Sequence, residues 1–581
     1  MRFLHLLLSL GYASGCRLGA SKPKDSETDY VIVGAGPAGY VLATRLSEDP
    51  SVTVTLLEAG PDGGNDRNIY TPGFAARLQG TQYTWNYTSQ PDPRRGGIAP
   101  NFPQGHVLGG GTSINFMSYS RGAASVYDEW ASISSNDRLR WNSILEHFEA
   151  STNLTIPSPI DYKHAANPSV YGDGPVQVSY EWNSTDTEPY WGDAIAASMP
   201  PPVHLIDPTA GHHIGRMNGG PHTINIQTGR RSSAQATYGV ILSTRANVNI
   251  IPLAEVIKVN IRNREAVSVH YVSHADQSNH TVLAKREIIV SAGAIGTPKL
   301  LMLSGLGPRA HLQDLAIPVI KDIPEMGDNL HNHHNAITMY QIPQDIVSAW
   351  ALRTNATLLA EAEAQYAATG TGPLSEILTS SYVTERPSDT FLDSINATFH
   401  KDLPIDRPLL FYGYTTSPLL PNPRNVNVIS AFVCLLQPEG HGYVRLASAD
   451  YRDSPLIFSN YWGSDADLAL ELYGYKKLRG AMTSRILAPI VLDELYPGPE
   501  VVTDEEVIAA MLPTAWSFNH PTGTCSLGRV LDSQFRISGI GALRVVDSST
   551  LPYQPTSHTS GPVYAVAELA AKMIKESWYS F

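Results

Sequence analysis

The chain is short of cysteine. Only Cys16, Cys434 and Cys525 occur in 581 residues, so no disulfide framework holds the fold together. No two of them have the spacing of zinc ligands, and whether Cys434 and Cys525 pair stays open at this level. Basic charge is also scarce. Lys and Arg number 41 against 54 Asp and Glu, a formal net charge of −13. Binding to nucleic-acid phosphates needs clustered Lys and Arg, so that partner is disfavoured. No run of like charge is long enough to make an interaction tail. Repeats and low-complexity tracts are absent, and no apolar stretch reaches membrane-spanning length. What is present is an ordinary globular composition, 42% hydrophobic and 16% charged, on a chain long enough for two or more lobes.

The first residues read MRFLHLLLSLGYASGC. A positive Arg2, a short apolar run and small residues before Cys16 fit a secretory signal peptide over residues 1–15. A buried strand, a short anchor, or a lipid-modified Cys16 are the alternatives. Six sequons, at Asn86, Asn153, Asn183, Asn279, Asn355 and Asn396, favour a eukaryotic secretory route with N-glycans. The expected location is therefore secreted, or the lumen of the secretory pathway.

Residues 29–39 read DYVIVGAGPAG. A β-branched run ends in Gly34, Gly36 and Gly39, and a helical pattern follows. Gly34 permits the turn, Gly36 lets backbone approach a pyrophosphate, and Gly39 lets helix and strand pack closely. The helix N-terminus would meet the phosphate charge. A second strand, Val52 to Leu57, ends in Glu58, 58 − 39 = 19 residues after the last glycine, where an acid accepts ribose hydroxyls. The pattern means dinucleotide binding without separating FAD from NAD.

Further segments bear on that choice. They are GHVLGGGTSIN (105–115), SRGAASVYDEWA, GRRSSAQATY, SAGAIGTPKLLMLSGLG (291–307), EMGDNLHNHH, NHPTGTC (519–525) and LRVVDSS. In the fourth, Thr297-Pro298 reads as a helix start and Ser304-Gly305 as its end. With GAGPAG and LLEAG near the front, the chain resembles the glucose–methanol–choline (GMC) oxidoreductases from about residue 28 to its C-terminus. The run LPYQPTSHTSGPVY (551–564) looks especially like the fungal aryl-alcohol oxidases. Two departures stand out. His106 replaces the family's usual Arg or Lys, and Asn332 replaces the usual acid in GDNLHNH. Where some members bond FAD to a histidine, this chain has Ile114, so no bond forms there. His106 reads as a polar loop residue, with a different attachment point left open.

The resemblance implies an α/β fold: a Rossmann-like FAD-binding domain interleaved with a substrate-binding domain on a mainly antiparallel sheet with helices. The FAD-binding pieces would be 28–75, 105–150, 230–335 and 535–581. The substrate-binding pieces would be 160–229 and 336–534, where NVNVISAFVCLLQ and GYVRLAS read as strands. The implied FAD contacts are Gly34, Gly36, Gly39, Glu58, Gly109, Gly110, Thr112, Asn115, Val256 and Asp547. Catalysis falls to His520, in the HP-x-GT run, and to His558, just before the last helix.

Removing an alcohol's proton needs a base with a pKa near the working pH, which imidazole supplies. His520 would take the hydroxyl proton while flavin N5 takes the hydride, and His558 would orient the same oxygen. The last helix, starting near Ser560-Gly561-Pro562, would aim its positive end at the flavin's N1–C2 region. The histidines of HNHH invite a metal reading, but the resemblance puts that loop in the flavin domain, and no metal site is expected. His212 and His213 read as loop or pocket residues. Tyr83, Trp85, Trp516 and Phe518 are candidate pocket aromatics.

The expected partners are a small alcohol and an electron acceptor, oxygen or another. The expected reaction takes an aryl- or furan-type primary alcohol to an aldehyde or lactone, in the setting of fungal secondary metabolism. A non-redox lyase or cyclase on the same fold is the alternative.

Overall fold

A computed structural model describes residues 26–160, 162–182, 186–378 and 381–579. The signal segment and the sequon at Asn183 lie outside them. The first strand spans Ser26–Val33 and the next Val54–Leu57, with Tyr30–Val33 and all of Val54–Leu57 buried. Burial on both faces is what a central parallel strand requires. Their sheet runs in the order Val248–Ile251, Val54–Leu57, Ser26–Val33, Asn279–Val290, Glu265–Ser273, Ala254–Arg262. The first four are mutually parallel, and the last three form an antiparallel meander.

The long strand Asn279–Val290 changes partner along its length. Residues 279–283 pair with 268–272, whereas Ile288–Val290 pair in parallel with Leu543–Val545. Chain from the C-terminal end thereby enters the sheet. Gly34, Glu58, Ser291 and Asp547 all follow the carboxyl ends of parallel strands, the edge where open α/β sheets bind ligands.

The second sheet is antiparallel throughout. Its order is Glu494–Tyr496, His334–Gln341, Val428–Leu435, Leu410–Thr415, Tyr382–Glu385, Gly215–Met217, with Trp516–Ser517 pairing against His334 and Asn335. The helix Asp465–Met482, started by a capping box at Ser464 and Asp467, packs on it through Leu470, Tyr475, Leu478 and Met482. The fold is therefore the expected Rossmann-like domain interleaved with a domain on an antiparallel sheet.

Three details differ from the sequence reading. GYVRLAS does form a strand, Gly442–Arg445, but it pairs with Asp328–Leu330 and Leu456–Phe458 in a separate small sheet. Alternation identifies a strand without naming its partner. Val176 and Val178 lie within 160–229, and Cys525, Leu527 and Leu531 within 336–534, yet all pack in the core of the first sheet. The helix expected to begin at Thr297-Pro298 spans Gly293–Leu303, with Pro298 inside it. Proline removes the N–H that would bond the carbonyl four residues back. That carbonyl belongs to Ala294, and it accepts instead from Thr524 Oγ1 at 2.7 Å.

A buried ion pair fixes the late strand in the sheet. Arg544 donates to Glu287 at 2.6 and 3.1 Å from the neighbouring strand. Glu287 also accepts from Trp578, and Arg544 donates to Ser577 Oγ, both on the last helix, Ser560–Tyr579. Arg544→Leu leaves Glu287 buried and unpaired, at a cost of about 3–5 kcal/mol. A markedly lower thermal midpoint is expected by calorimetry, with loss of bound flavin on the same transition.

Candidate active site

The cofactor cradle is built from two glycine loops that face each other. Gly34, at φ 102°, starts the first, and a Cβ there would overlap the Ser291 carbonyl. Gly109 N donates to Ala35 O at 2.8 Å, and a Cβ on Gly110 would stand 2.8 Å from Gly36 Cα. Gly39 packs its Cα against the Gly34 carbonyl, as close helix–strand contact requires.

Gly36 is different. Its backbone is extended, φ −76° and ψ −172°, and a Cβ there would meet no protein atom within 4 Å. Nothing in the protein requires glycine at this position. It does suit a group that approaches the backbone at the N-terminus of Pro37–Leu46, as the FAD pyrophosphate would.

Glu58 is buried. Its two oxygens accept from Ala35 N at 2.8 Å and Gly60 N at 2.9 Å. Burial pushes its carboxyl up to about 7 against these donors. Each oxygen keeps a second lone pair for a ribose hydroxyl. Thr112 Oγ1 donates to Gly109 O and accepts from Ala234 N, which locks the second loop. Asn115 is held through its side-chain and backbone oxygens by Arg231, whose guanidinium also reaches Ile69 O and Thr112 O. Burial alone lowers Arg231 to about 9.

Val256 is half-buried in the strand Ala254–Arg262, opposite Tyr271. The start of that strand is tied to Glu58, whose carbonyl accepts from Ala254 N at 2.7 Å. Asp547 spends its carboxylate on protein: Oδ2 accepts from Gly293 N and Thr297 Oγ1, and Oδ1 from Ser549 N. It shapes the cradle by joining two strand ends, and burial raises its pKa. His106 packs against Trp85, centroids 4.1 Å apart and rings tilted at 49°, and bonds the Gln82 carbonyl.

His520 and His558 meet across one cavity. Their ring centroids are 5.2 Å apart at 79°. The cavity, of about 10 Å³, is lined by His213, His333, Phe411, Phe518 and the two histidines, with Cys434, Leu436 and Ser557 completing the wall. Of the candidate aromatics only Phe518 reaches it. Tyr83 bonds Asp66, Trp85 stacks on Tyr87, and Trp516 is exposed. Phe411 was not singled out from sequence, because only pairing with Val428–Leu435 brings its strand here.

The HNHH segment turns out to be the clamp on the His520 loop. His331 and Thr522 exchange two backbone hydrogen bonds, and Phe518 N donates to His333 O. Asn332 Oδ1 accepts from His520 N at 3.0 Å, while its amide donates to Ser517 Oγ. The departure at Asn332 thus serves the loop directly. His558 is tied to Ser120 through both its backbone N–H and Nδ1. Cys434 and Cys525 are unpaired and buried. Among the described residues no group of His, Cys, Asp and Glu is arranged to hold a metal.

Fold and cradle define a dinucleotide-binding protein, and comparison with known proteins gives its class. Residues 28–335 and 438–567 match the N- and C-terminal parts of the GMC oxidoreductases. A glucose–methanol–choline family oxidoreductase, mfmG, from Annulohypoxylon moriforme is 33% identical, over 96% of each chain. Patulin synthase from Aspergillus clavatus is 30% identical, over 94% of this chain and 92% of that protein. The solved structure of a fungal aryl-alcohol oxidase superposes with a TM-score of 0.83 at 26% identity, covering 96% of this chain and 100% of that one. The chain belongs to the GMC oxidoreductase family: it is an FAD-dependent oxidoreductase that acts on alcohols.

Two predictions follow from the site. Gly36→Ala adds a Cβ that meets no protein atom within 4 Å, so the protein should fold with a normal circular-dichroism spectrum yet purify with markedly less yellow flavin. Gly34→Ala should instead disrupt folding. The second concerns pH. Burial lowers His213, His222 and His333 to about 3 and His558 to about 4, from 6.5. Between those values and 6.5 the unfolded chain binds more protons, so acid favours unfolding. Calorimetry should show the thermal midpoint falling as pH drops from 6.5 toward 4, with no contribution from these groups above 6.5.

Proposed function

We propose that the chain oxidises a primary alcohol bearing an aryl or furan-type group to the aldehyde or lactone, with His520 as the base. One observation carries the reading: the two imidazoles converge on a single cavity whose other walls are mostly apolar and aromatic. Phe518 lies 5.0 Å from the His520 ring and 5.8 Å from His558, and Phe411 lies 5.9 Å from His558. Rings so placed suit a flat apolar group next to the reacting carbon, and the cavity of about 10 Å³ must widen to admit it. The names of two relatives, patulin synthase and aryl-alcohol oxidase, support the same substrate class and a role in fungal secondary metabolism.

FAD, held by the cradle, supplies the hydride acceptor. The protein's part is to position the alcohol and to take its proton. His520 is kept neutral first by burial and then by the neighbouring His333 and His558, which together hold it well below 6.5. A neutral imidazole can accept the hydroxyl proton as the hydride leaves. His558, also neutral at working pH, can hydrogen-bond the same oxygen and fix the C–H direction. The secretory route remains part of the proposal. Asn86, Asn279, Asn355 and Asn396 are exposed, which suits glycan acceptors.

The test is anaerobic mixing of purified protein with aryl, furan and aliphatic alcohols while flavin absorbance is followed. Bleaching by the aryl or furan group is expected, and air should then show whether oxygen restores the colour. His520→Ala should slow bleaching about 10²–10⁴-fold. If flavin-loaded protein is bleached by no alcohol, the redox reading fails in favour of a lyase or cyclase.

A further inference from the structure

Behind His520 stands another histidine that no reading above uses in the chemistry. His333 Nδ1 lies 2.9 Å from His520 Nδ1, and the two rings meet edge to face with centroids 5.1 Å apart. The other nitrogen of His333, Nε2, lies 3.1 Å from the Leu436 carbonyl oxygen. A carbonyl only accepts, so His333 Nε2 carries a proton. The ring is buried, with no carboxylate bonded to it among the described residues, and burial keeps it neutral, which leaves one proton in all. His333 Nδ1 is therefore a bare lone pair.

Contact between two Nδ1 atoms at 2.9 Å is a hydrogen bond only if one of them carries hydrogen. His333 has none to give there, so His520 supplies it. A neutral His520 with its proton on Nδ1 has its lone pair on Nε2. We infer that His333 is a positioning residue that fixes the tautomer of His520, leaving Nε2 free to accept a proton. The inference rests on the reading of His520 as the base.

Ser120 can set His558 the opposite way. Its Oγ accepts from His558 N–H at 3.2 Å and stands 3.3 Å from His558 Nδ1. With the hydroxyl hydrogen donated to that nitrogen, the ring proton falls on Nε2. In that tautomer the pair offers one acceptor and one donor, as an alcohol oxygen that gives a proton and receives a hydrogen bond requires.

The proton step balances without a further reagent. The alcohol O–H bond breaks, Nε2–H forms, and the His520 ring becomes a cation. Its Nδ1–H bond to His333 then becomes charge-assisted, roughly doubling in strength. His333 therefore acts at two moments. It selects the tautomer before the transfer and stabilises the imidazolium after it. His333 and Asn332 also divide the work on His520, one holding the ring and the other the backbone.

Ring-labelled [¹⁵N]histidine in the FAD-loaded protein reads the tautomer directly, with the His520 signals assigned by their loss in His520→Ala. The Nδ1–H form is expected for His520. His333→Leu should lose that fixed tautomer and bleach with alcohol about ten-fold more slowly at saturating substrate, with KM little changed. His333→Asn places Oδ1 where Nδ1 stood and should restore both the tautomer and most of the rate. A His520 proton on Nε2 in the wild type overturns the inference. So does a folded, yellow His333→Leu that bleaches at the wild-type rate. If that variant fails to fold, the wild-type spectrum and His333→Asn decide. Full activity in His520→Ala would instead remove the base reading, while the tautomer assignment stands or falls on the spectrum.

Discussion

The Glu287–Arg544 pair is the contact on which the layout depends. It joins neighbouring strands whose side chains come from positions 257 residues apart, and it is bidentate and buried. Two charges removed from water are retained only if each satisfies the other, and any other register would leave both unpaired. That constraint sets where Leu543–Val545 enters the sheet. From there Asp547 falls beside Gly293, and the chain passes through His558 into the last helix. Arg45 on the first helix holds Glu568 on the last at 2.6 Å, which fixes the other side of that helix. The geometry of the site is thus inherited from two ion pairs that lie outside it.

The electrostatics of the site are those of neutral imidazoles in an apolar enclosure. His213, His333, His520 and His558 line one small cavity, and each is held below its ordinary pKa chiefly by burial. Among the described residues no carboxylate is hydrogen-bonded to either ring of the His333–His520 pair, so in the proposed mechanism the base is tuned by the hydrogen bond it donates to another imidazole. Such a base stays unprotonated in mildly acidic solution, but it needs help once it is charged. On the proposed reading, the acceptor on His333 supplies that help without adding a fixed negative charge that would raise the resting pKa.

Much of the cradle was legible in the sequence because its rules are local. A strand, a turn at positive φ, a helix start and an acid at the next strand end follow one another along the chain, and each has a residue type that little else can replace. The histidine pair was legible through a resemblance that covers nearly the whole chain. What was hidden depended on pairing between distant segments. His333 could not be distinguished from its neighbours in HNHH until that segment was seen running beside NHPTGTC. Pro298 looked like a helix start because the hydroxyl that replaces its missing hydrogen bond comes from Thr524, more than two hundred residues later. Gly442–Arg445 was a strand by pattern, yet only the three-dimensional arrangement decides which strand lies next to it. Asn332 read as a lost acid, although an amide can accept from His520 and donate to Ser517 at once.

The interleaving has a consequence for biosynthesis. Gly34 and Glu58 are made first, but the loop at Gly293 is pinned by Asp547, and the wall opposite is completed only by His520 and His558. A growing chain therefore has no finished cradle until its final helix is released from the ribosome. Any nascent chain that stalls before residue 543 leaves a Rossmann-like half whose open sheet edge is a liability for aggregation rather than a partial enzyme.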